Sequence, residues 1–260
     1  MSGSLVCVGL GMKLGAHISP ICRSHIEQAD VVFCAAADSL FEMWVNEMNP
    51  DVRSLQPYYA EGKSRYQTYK EMVKAILAEV KSGKKVVAAF YGHPGVFARV
   101  AHDAIEQAHA QQLPAYMEPG ISAESCLYAD LGIDPGKYGC QHFETSQFMF
   151  YQRNVDTAGY LILWQVAVAG DRKLTRYATG QQYREVLINL LLQHYPADHL
   201  ITLYEAAVLP IDTVRKEVIK LKDLLTAELT QATTLVLPPA VELVKNQQVM
   251  DLLTSLDAAQ

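Results

Sequence analysis

Val6–Gly15 reads VCVGLGMKLG and Ser19–Leu40 reads SPICRSHIEQADVVFCAAADSL. How these two stretches join decides the fold. Leu5–Gly9 is a short apolar run ending in glycine, which predicts a buried strand stopping at a tight turn. Ser19 then Pro20 is an N-cap with proline at the first helical position, predicting a helix from Pro20 to about Ala29. Val31–Ala36 predicts a second buried strand. Gly9, Gly11 and Gly15 superficially suggest a dinucleotide-binding turn, in which the helix amides follow the glycines directly and meet a pyrophosphate. Here the helix opens only at Ser19 and Pro20, so a looped segment intervenes and that reading is weak.

Further along, Tyr66–Val80 is strongly helical, and Lys85–Phe90 predicts a third strand ending at Tyr91, Gly92, His93, Pro94 and Gly95. Alternation of strands and helices argues for a largely parallel sheet covered by helices, with ligands beyond the carboxyl ends of the strands. A turn-rich stretch, Pro119–Ser125, enters another helix, and the glycine- and proline-rich Leu131–Gly139 reads as a hinge. Beyond it come a strand at Leu161–Ala169, a helix at Tyr183–Gln193, a strand at Leu200–Tyr204, an amphipathic stretch at Val214–Leu225 and a strand at Thr233–Leu237. The expected fold class is α/β with two domains, 1–125 and 126–239, followed by a helical tail, 240–260, docked on the body.

Composition narrows the function. The 260 residues are half hydrophobic, enough for one large core or two modest ones. The longest apolar runs fall short of the roughly 20 residues that span a bilayer, and Met1–Val8 lacks the features of a secretory signal. No membrane partner and a cytoplasmic location are expected. Cys7, Cys22, Cys34, Cys126 and Cys140 form no CxxC pair and are expected as buried thiols, and no metal-ligand spacing occurs, so no metal is expected. A net charge of −6 without a basic tract argues against nucleic acid as substrate, although Arg172, Lys173 and Arg176 form a small basic face.

The order of apolar strand, GLG, irregular loop and SPICRSHIEQADVVFCAAADSL resembles the opening of the tetrapyrrole-methylase family. The likeness continues in AAFYGHPGVFA (Ala88–Ala98), EPGISAESCLYADLGIDP (Glu118–Pro135) and ATTLVLPPA (Ala232–Ala240), so it covers most of the chain. It implies a class III S-adenosylmethionine-dependent methyltransferase, with the donor in the interdomain cleft and S-adenosylhomocysteine as product. His93 stands where many tetrapyrrole methylases have an acid, and YGHPGVF instead resembles the borosin peptide backbone α-N-methyltransferases. PYYAEGKSRYQTY carries Tyr59, Arg65 and Tyr69 at the spacing of that branch, and Tyr91 completes its catalytic cluster.

The resemblance implies donor contacts from the Leu10 loop, Tyr91, His93, Val96, Ala98, Ser122, Ala123, Gln165, Tyr204, Ala206, Thr233 and Thr234. Its expected partner is a separate precursor peptide, held by a homodimer that becomes a heterotetramer with two precursors. The chemistry suits the residues. A peptide nitrogen is a poor nucleophile while its lone pair is delocalised into the carbonyl, so it needs donors on the carbonyl oxygen and a base for its proton. Arg65 and Tyr69, four apart on one helix face, can meet one cavity, where Tyr69 or Tyr59 takes the proton, Arg65 lowers the phenol pKa and Tyr91 orients the amide or the methyl. Taken one by one, the Tyr and Arg pair reads as a packed rim, His93 as a turn residue and Gln165 as a satisfied core amide. Porphyrinoid C-methylation is the rival reaction, and a binding module without turnover the non-enzymatic one.

Overall fold

The computed structural model describes residues 3–36 and 38–259. The first sheet has the order β3-β2-β4-β1-β5, from Val52–Ser54, Val31–Ala35, Lys85–Phe90, Ser4–Gly9 and Ala115–Glu118 respectively. Every pairing in it is parallel. Its central strands are apolar on both faces because helices cover both. On one face α1 (Pro20–Glu27) and α2 (Ser39–Asn46) bury Cys22, Ile26, Phe41 and Val45. On the other, α3 (Arg65–Lys81) and α4 (Arg99–His109) bury Met72, Val73, Ile76, Val100 and Ala104. The Ser19 side chain accepts from the Cys22 amide and Pro20 opens α1, as the sequence predicts.

Winding reverses between β1 and β4. The adjacent strands send their following helices to opposite faces, and such a reversal leaves a crevice beyond the strand ends. The glycines shape it. A Cβ on Gly9 would lie 2.5 Å from the Gly120 Cα and 2.6 Å from the Gly92 carbonyl oxygen, so the chain leaving β1, β4 and β5 closes together only without side chains. Gly11 and Gly92, both at positive φ, exchange two backbone hydrogen bonds of 3.1 and 2.9 Å. The glycines therefore serve loop-to-loop contact, and nothing in their geometry opens a helix.

α5 (Ala123–Leu131), capped by Ser122, leads through the short α6 (Pro135–Tyr138) to the second sheet. Its order is β6-β7-β10-β8-β9, from Cys140–Glu144, Tyr160–Trp164, Thr234–Leu237, Leu200–Glu205 and Arg215–Lys220 respectively. Only β6 and β7 pair in parallel; the rest is antiparallel. Leu127 of α5 packs against Ile162, Trp164, Tyr204 and Val236 on one face, while α7 (Thr145–Phe150) and α8 (Gln181–Leu191) cover the other.

Three expectations change, and one stretch left open takes a definite form. The strand drawn to Ala169 ends at Trp164, because Gln165 takes a left-handed conformation (φ 58°, ψ 42°) and a 3-10 turn follows. Val166, Ala167, Val168 and Ala169 are all buried, so hydrophobicity could not mark the break. The amphipathic stretch Val214–Leu225 is a strand, β9, followed by a 3-10 turn, Leu221–Leu225. Cys126 and Cys140 are half-buried, whereas Cys7, Cys22 and Cys34 are buried as expected. The tail does form a helix, α9 (Gln247–Asp257), capped by Asn246, but it is not docked. Val249, Met250, Leu252, Leu253 and Leu256 stay exposed, and none of α9 is buried by the described residues.

Candidate active site

A cleft of about 490 Å³ lies between the two halves, over the strand ends where the winding reverses. Tyr59, Arg65, Tyr69, Tyr91, His93, Val96, Ala98, Ser122, Ala123, Gln165, Tyr204, Ala206 and Thr234 all line it. These residues come from positions far apart in the chain, and only the fold brings them together. Leu10 and Thr233 do not reach it. Leu10 is fully buried in the core and acts through its backbone amide, which donates to the Phe90 carbonyl at 2.8 Å. Thr233, also fully buried, donates its hydroxyl to the Glu205 carboxylate and thereby fixes the turn before Thr234.

Phenols and a guanidinium crowd one side. Tyr59 and Tyr69 meet edge to face at 6.4 Å between ring centres. Burial pushes the Tyr59 phenol well above its ordinary pKa; the neighbouring Tyr69 and Tyr91 push the same way, and the opposing pull of Arg65 is too small to reverse them. The expected lowering by Arg65 therefore does not win at Tyr59, which is held as a protonated donor at neutral pH. Tyr91 keeps 47 % of its surface accessible from the cleft, yet enough protein surrounds it that burial raises its phenol too, with Tyr69 adding to the rise. Arg65 ties the halves together: its amide donates to the Leu174 carbonyl at 2.9 Å and its Nη2 to the Arg176 carbonyl at 3.1 Å.

Opposite, the side chains are already engaged with one another. Trp164 donates through Nε1 to His142 Nδ1 at 3.2 Å and stacks on its ring, 6.0 Å between centres and 15° from parallel. The His142 Nε2–H then faces the Tyr128 hydroxyl at 2.7 Å, which donates to Glu124 at 3.1 Å. Burial holds His142 below its usual range, with Glu124 pulling weakly the other way, so the ring is neutral at pH 7 and its tautomer follows from the indole donor. Tyr204 donates to Asp130 at 2.7 Å, and burial together with that carboxylate raises its phenol. His93 accepts the Gly95 amide on Nδ1 at 2.8 Å, so it shapes its turn while lining the cleft.

Sequence reading missed Phe97 and Trp164. Phe97 sits at φ 50°, half-exposed, and meets Trp164 at 5.8 Å, so the pair spans the two halves at the cleft. With Gln165 it makes two non-glycine residues at positive φ on the cleft lining, a strain that a structure keeps where shape matters. No signal in the sequence marks a positive φ at phenylalanine.

An adenosine-bearing sulfonium fits this place: Gly92 and small side chains (Ala98, Ala123, Ala206) leave room for a nucleoside, and Ser122 and Thr234 offer hydroxyls. Among the described residues no group of three or more His, Cys, Asp or Glu is placed to hold a metal. No helix among them is long and apolar enough to cross a membrane.

Known proteins share both the sequence and the fold. The chain is 41 % identical over 211 residues to a methyltransferase and ribosomally synthesized gymnopeptides precursor of Gymnopus fusipes, an alignment covering 81 % of this chain and 50 % of that protein. It is 35 % identical over 264 residues to a methyltransferase and type I borosin cyclic peptide precursor of Coprinopsis marcescibilis, covering 99 % and 68 %. Several of these relatives are about twice as long as the segment they share with this chain. Among solved structures, the uroporphyrin-III C-methyltransferase of Thermus thermophilus superposes with a TM-score of 0.64 at 18 % identity, covering 92 % of this chain and 93 % of that one. A cobalt precorrin-4 methyltransferase does so at 0.63 and 16 % identity, covering 90 % and 94 %. Those likenesses carry the fold. Residues 4–222 match the tetrapyrrole (corrin/porphyrin) methylases, and by that match and the relatives above the chain belongs to the tetrapyrrole methylase family.

Proposed function

We propose that this protein is an S-adenosylmethionine-dependent methyltransferase that methylates backbone amide nitrogens of a precursor peptide. One observation carries the reading: Tyr59, Arg65, Tyr69 and Tyr91 converge on the same cleft as Gly92 and the small residues suited to a nucleoside. Relatives that are 35 to 41 % identical bear names that join a methyltransferase to a peptide precursor, whereas the tetrapyrrole enzymes are alike at 16 to 18 %. A peptide is therefore favoured over a porphyrinoid.

The cofactor supplies an electrophilic methyl on a sulfonium and departs as S-adenosylhomocysteine. His93, Val96, Ala98, Ser122, Ala123, Gln165, Ala206 and Thr234 are the residues placed to hold it. Tyr59, kept protonated by burial, donates to the amide oxygen and stabilises the charge that builds there as the nitrogen becomes nucleophilic. Tyr69, on the same helix as Arg65, would take the nitrogen's proton on its phenolate oxygen, whose negative charge the guanidinium stabilises until it becomes the neutral phenol. Tyr91 orients the amide. The N–H bond would break with its proton passing to the phenolate oxygen, and the electron pair left on nitrogen would take the methyl from the donor, so no covalent enzyme intermediate is needed. Holding nitrogen and methyl in line makes the step nearly unimolecular.

Purified protein, the donor and candidate precursor peptides supplied in trans are expected to give peptide masses raised by whole multiples of one methylation. An absorbance change with a porphyrinoid, and no peptide product, would transfer the assignment to the rival reaction. Donor binding without any demethylated donor would point to a binding module. Mass measurement of the assembly with and without precursor tests the expected homodimer and heterotetramer.

A further inference from the structure

The small basic face of the sequence, Arg172, Lys173 and Arg176, lies in the loop that closes on the catalytic helix. Gly62 donates to the Thr175 carbonyl at 3.3 Å and Arg65 to the Leu174 carbonyl at 2.9 Å, while Tyr177, next in the chain, lines the cleft. The loop is built rather than loose. Asp171, buried, spends both carboxylate oxygens on the backbone amides of Lys173, Thr175 and Arg176, at 2.8 to 3.2 Å. The Arg176 guanidinium lies over the Tyr183 ring at 5.2 Å and donates to its hydroxyl at 3.0 Å.

Charge sets this rim apart. Four of the other six arginines are matched, Arg23 with Glu27, Arg53 with Asp51 and Glu79, Arg99 with Asp103, and Arg215 with Glu205 and Glu217, while Arg153 lies over Phe143 and Tyr151 and Arg184 donates to the Leu225 and Ala227 carbonyls. Among the described residues none of Arg65, Arg172, Lys173 and Arg176 forms an ion pair with a carboxylate. The nearest counter-charges are Asp171, buried and spent on the loop's own amides, and Glu61, exposed beside Gly62. A chain of net charge −6 thus keeps cations without a carboxylate partner on the loop that brings Tyr177 to the cleft and docks on Arg65.

We infer that this rim captures an acidic segment of the substrate peptide, within a few residues of the amide being methylated. The inference rests on the peptide-methylation reading above. A forked guanidinium braced by a phenol is preorganised for a carboxylate. Nucleic acid is disfavoured because the cations occupy one short loop on an acidic protein, whereas a polyanion needs a basic stripe.

Fluorescence anisotropy on the donor-loaded protein, using labelled peptides with one Val, Ile and Gly core flanked by glutamates or by glutamines, tests it. The glutamate peptide is expected to bind about tenfold more tightly at low salt, from several exposed charge pairs acting together. That preference disappears at high salt. It also disappears in R172Q/K173Q/R176Q with donor affinity retained, and R172E/K173E, which leaves Arg176 on its tyrosine, turns it toward a lysine-flanked peptide. Equal affinity for the two peptides, or an unchanged preference in both variants, overturns the inference while leaving peptide methylation standing. Binding of neither peptide by protein that still binds donor overturns both. Displacement of the glutamate peptide by oligouridylate more readily than by itself overturns it in favour of nucleic acid.

Discussion

The two walls of the cleft use the same kinds of side chain in opposite ways. On the wall of the first sheet, Tyr59, Tyr69, Tyr91 and Arg65 gather around open space, and burial raises the phenols of Tyr59 and Tyr91. On the wall formed by α5 and the second sheet, Glu124 and Trp164 line the cleft and are joined behind it through Tyr128 and His142 by a run of hydrogen bonds in which each polar group meets the next. A polar cluster that satisfies itself gives rigidity, whereas one that faces a cavity is available to a ligand. The difference teaches that phenols and a histidine near a cleft are not by themselves catalytic. What their hydrogens and lone pairs already touch decides it.

Substitutions can break this comparison. The largest effect is expected for Tyr69→Phe, which should slow methyl transfer by ~10²–10⁴-fold with donor affinity retained, the usual scale for removing a general base. A parental rate in that variant, measured by mass spectrometry of the peptide product, removes Tyr69 from its role. Gly120→Ala comes next, because the new methyl meets the backbone of Gly9 and Gly92; a loss of ~1–3 kcal/mol and weaker donor binding are expected in thermal unfolding and titration calorimetry.

His142→Ala removes the acceptor of the Trp164 indole and the partner of Tyr128, and should cost ~1–3 kcal/mol of stability. Turnover at saturating substrate should fall less than about tenfold; a loss matching Tyr69→Phe would make the second wall catalytic as well. Acid provides a gentler probe. His142 and His17 are both held below their ordinary pKa by burial, so between that value and the folded one the unfolded chain binds more protons. Stability is therefore expected to fall as pH drops below ~6.5, levelling once the folded rings titrate. Trp164 emission, read with Trp44→Phe as background, should drop only at the acid end of that range, where the stacked ring of the folded protein gains charge. The smallest effect is expected for Leu253→Ser in α9: its side chain is exposed, so stability should change by no more than ~0.5 kcal/mol.

Much of the first half was legible. The Ser19 and Pro20 signal opens α1, the double-sided apolar runs mark β2 and β4, and the four-residue spacing of Arg65 and Tyr69 puts both on the cleft. The second half was read less well because its sheet is mostly antiparallel and its turns are buried. Gln165 interrupts a run of apolar residues that stays buried on both sides of the break, and hydrophobic pattern reports burial without reporting φ. The resemblance implies Leu10 and Thr233 as donor contacts, yet both side chains are fully buried, Leu10 in the core and Thr233 on Glu205, and the cleft is lined instead by Met12 and Thr234 nearby in the chain. The tail's apolar spacing specifies a helix, but docking requires a second surface that periodicity does not describe.

Sequence alone determined the element types, the glycine-closed strand ends and the candidate chemistry, because caps, glycines and apolar periods act within a few residues. Tertiary structure decided which groups share a cavity, which phenols burial raises and which histidine is consumed by its neighbours. Those outcomes depend on contacts between segments remote in the chain, such as Arg65 with Arg176 and Trp164 with His142, and on the dielectric that packing creates around them.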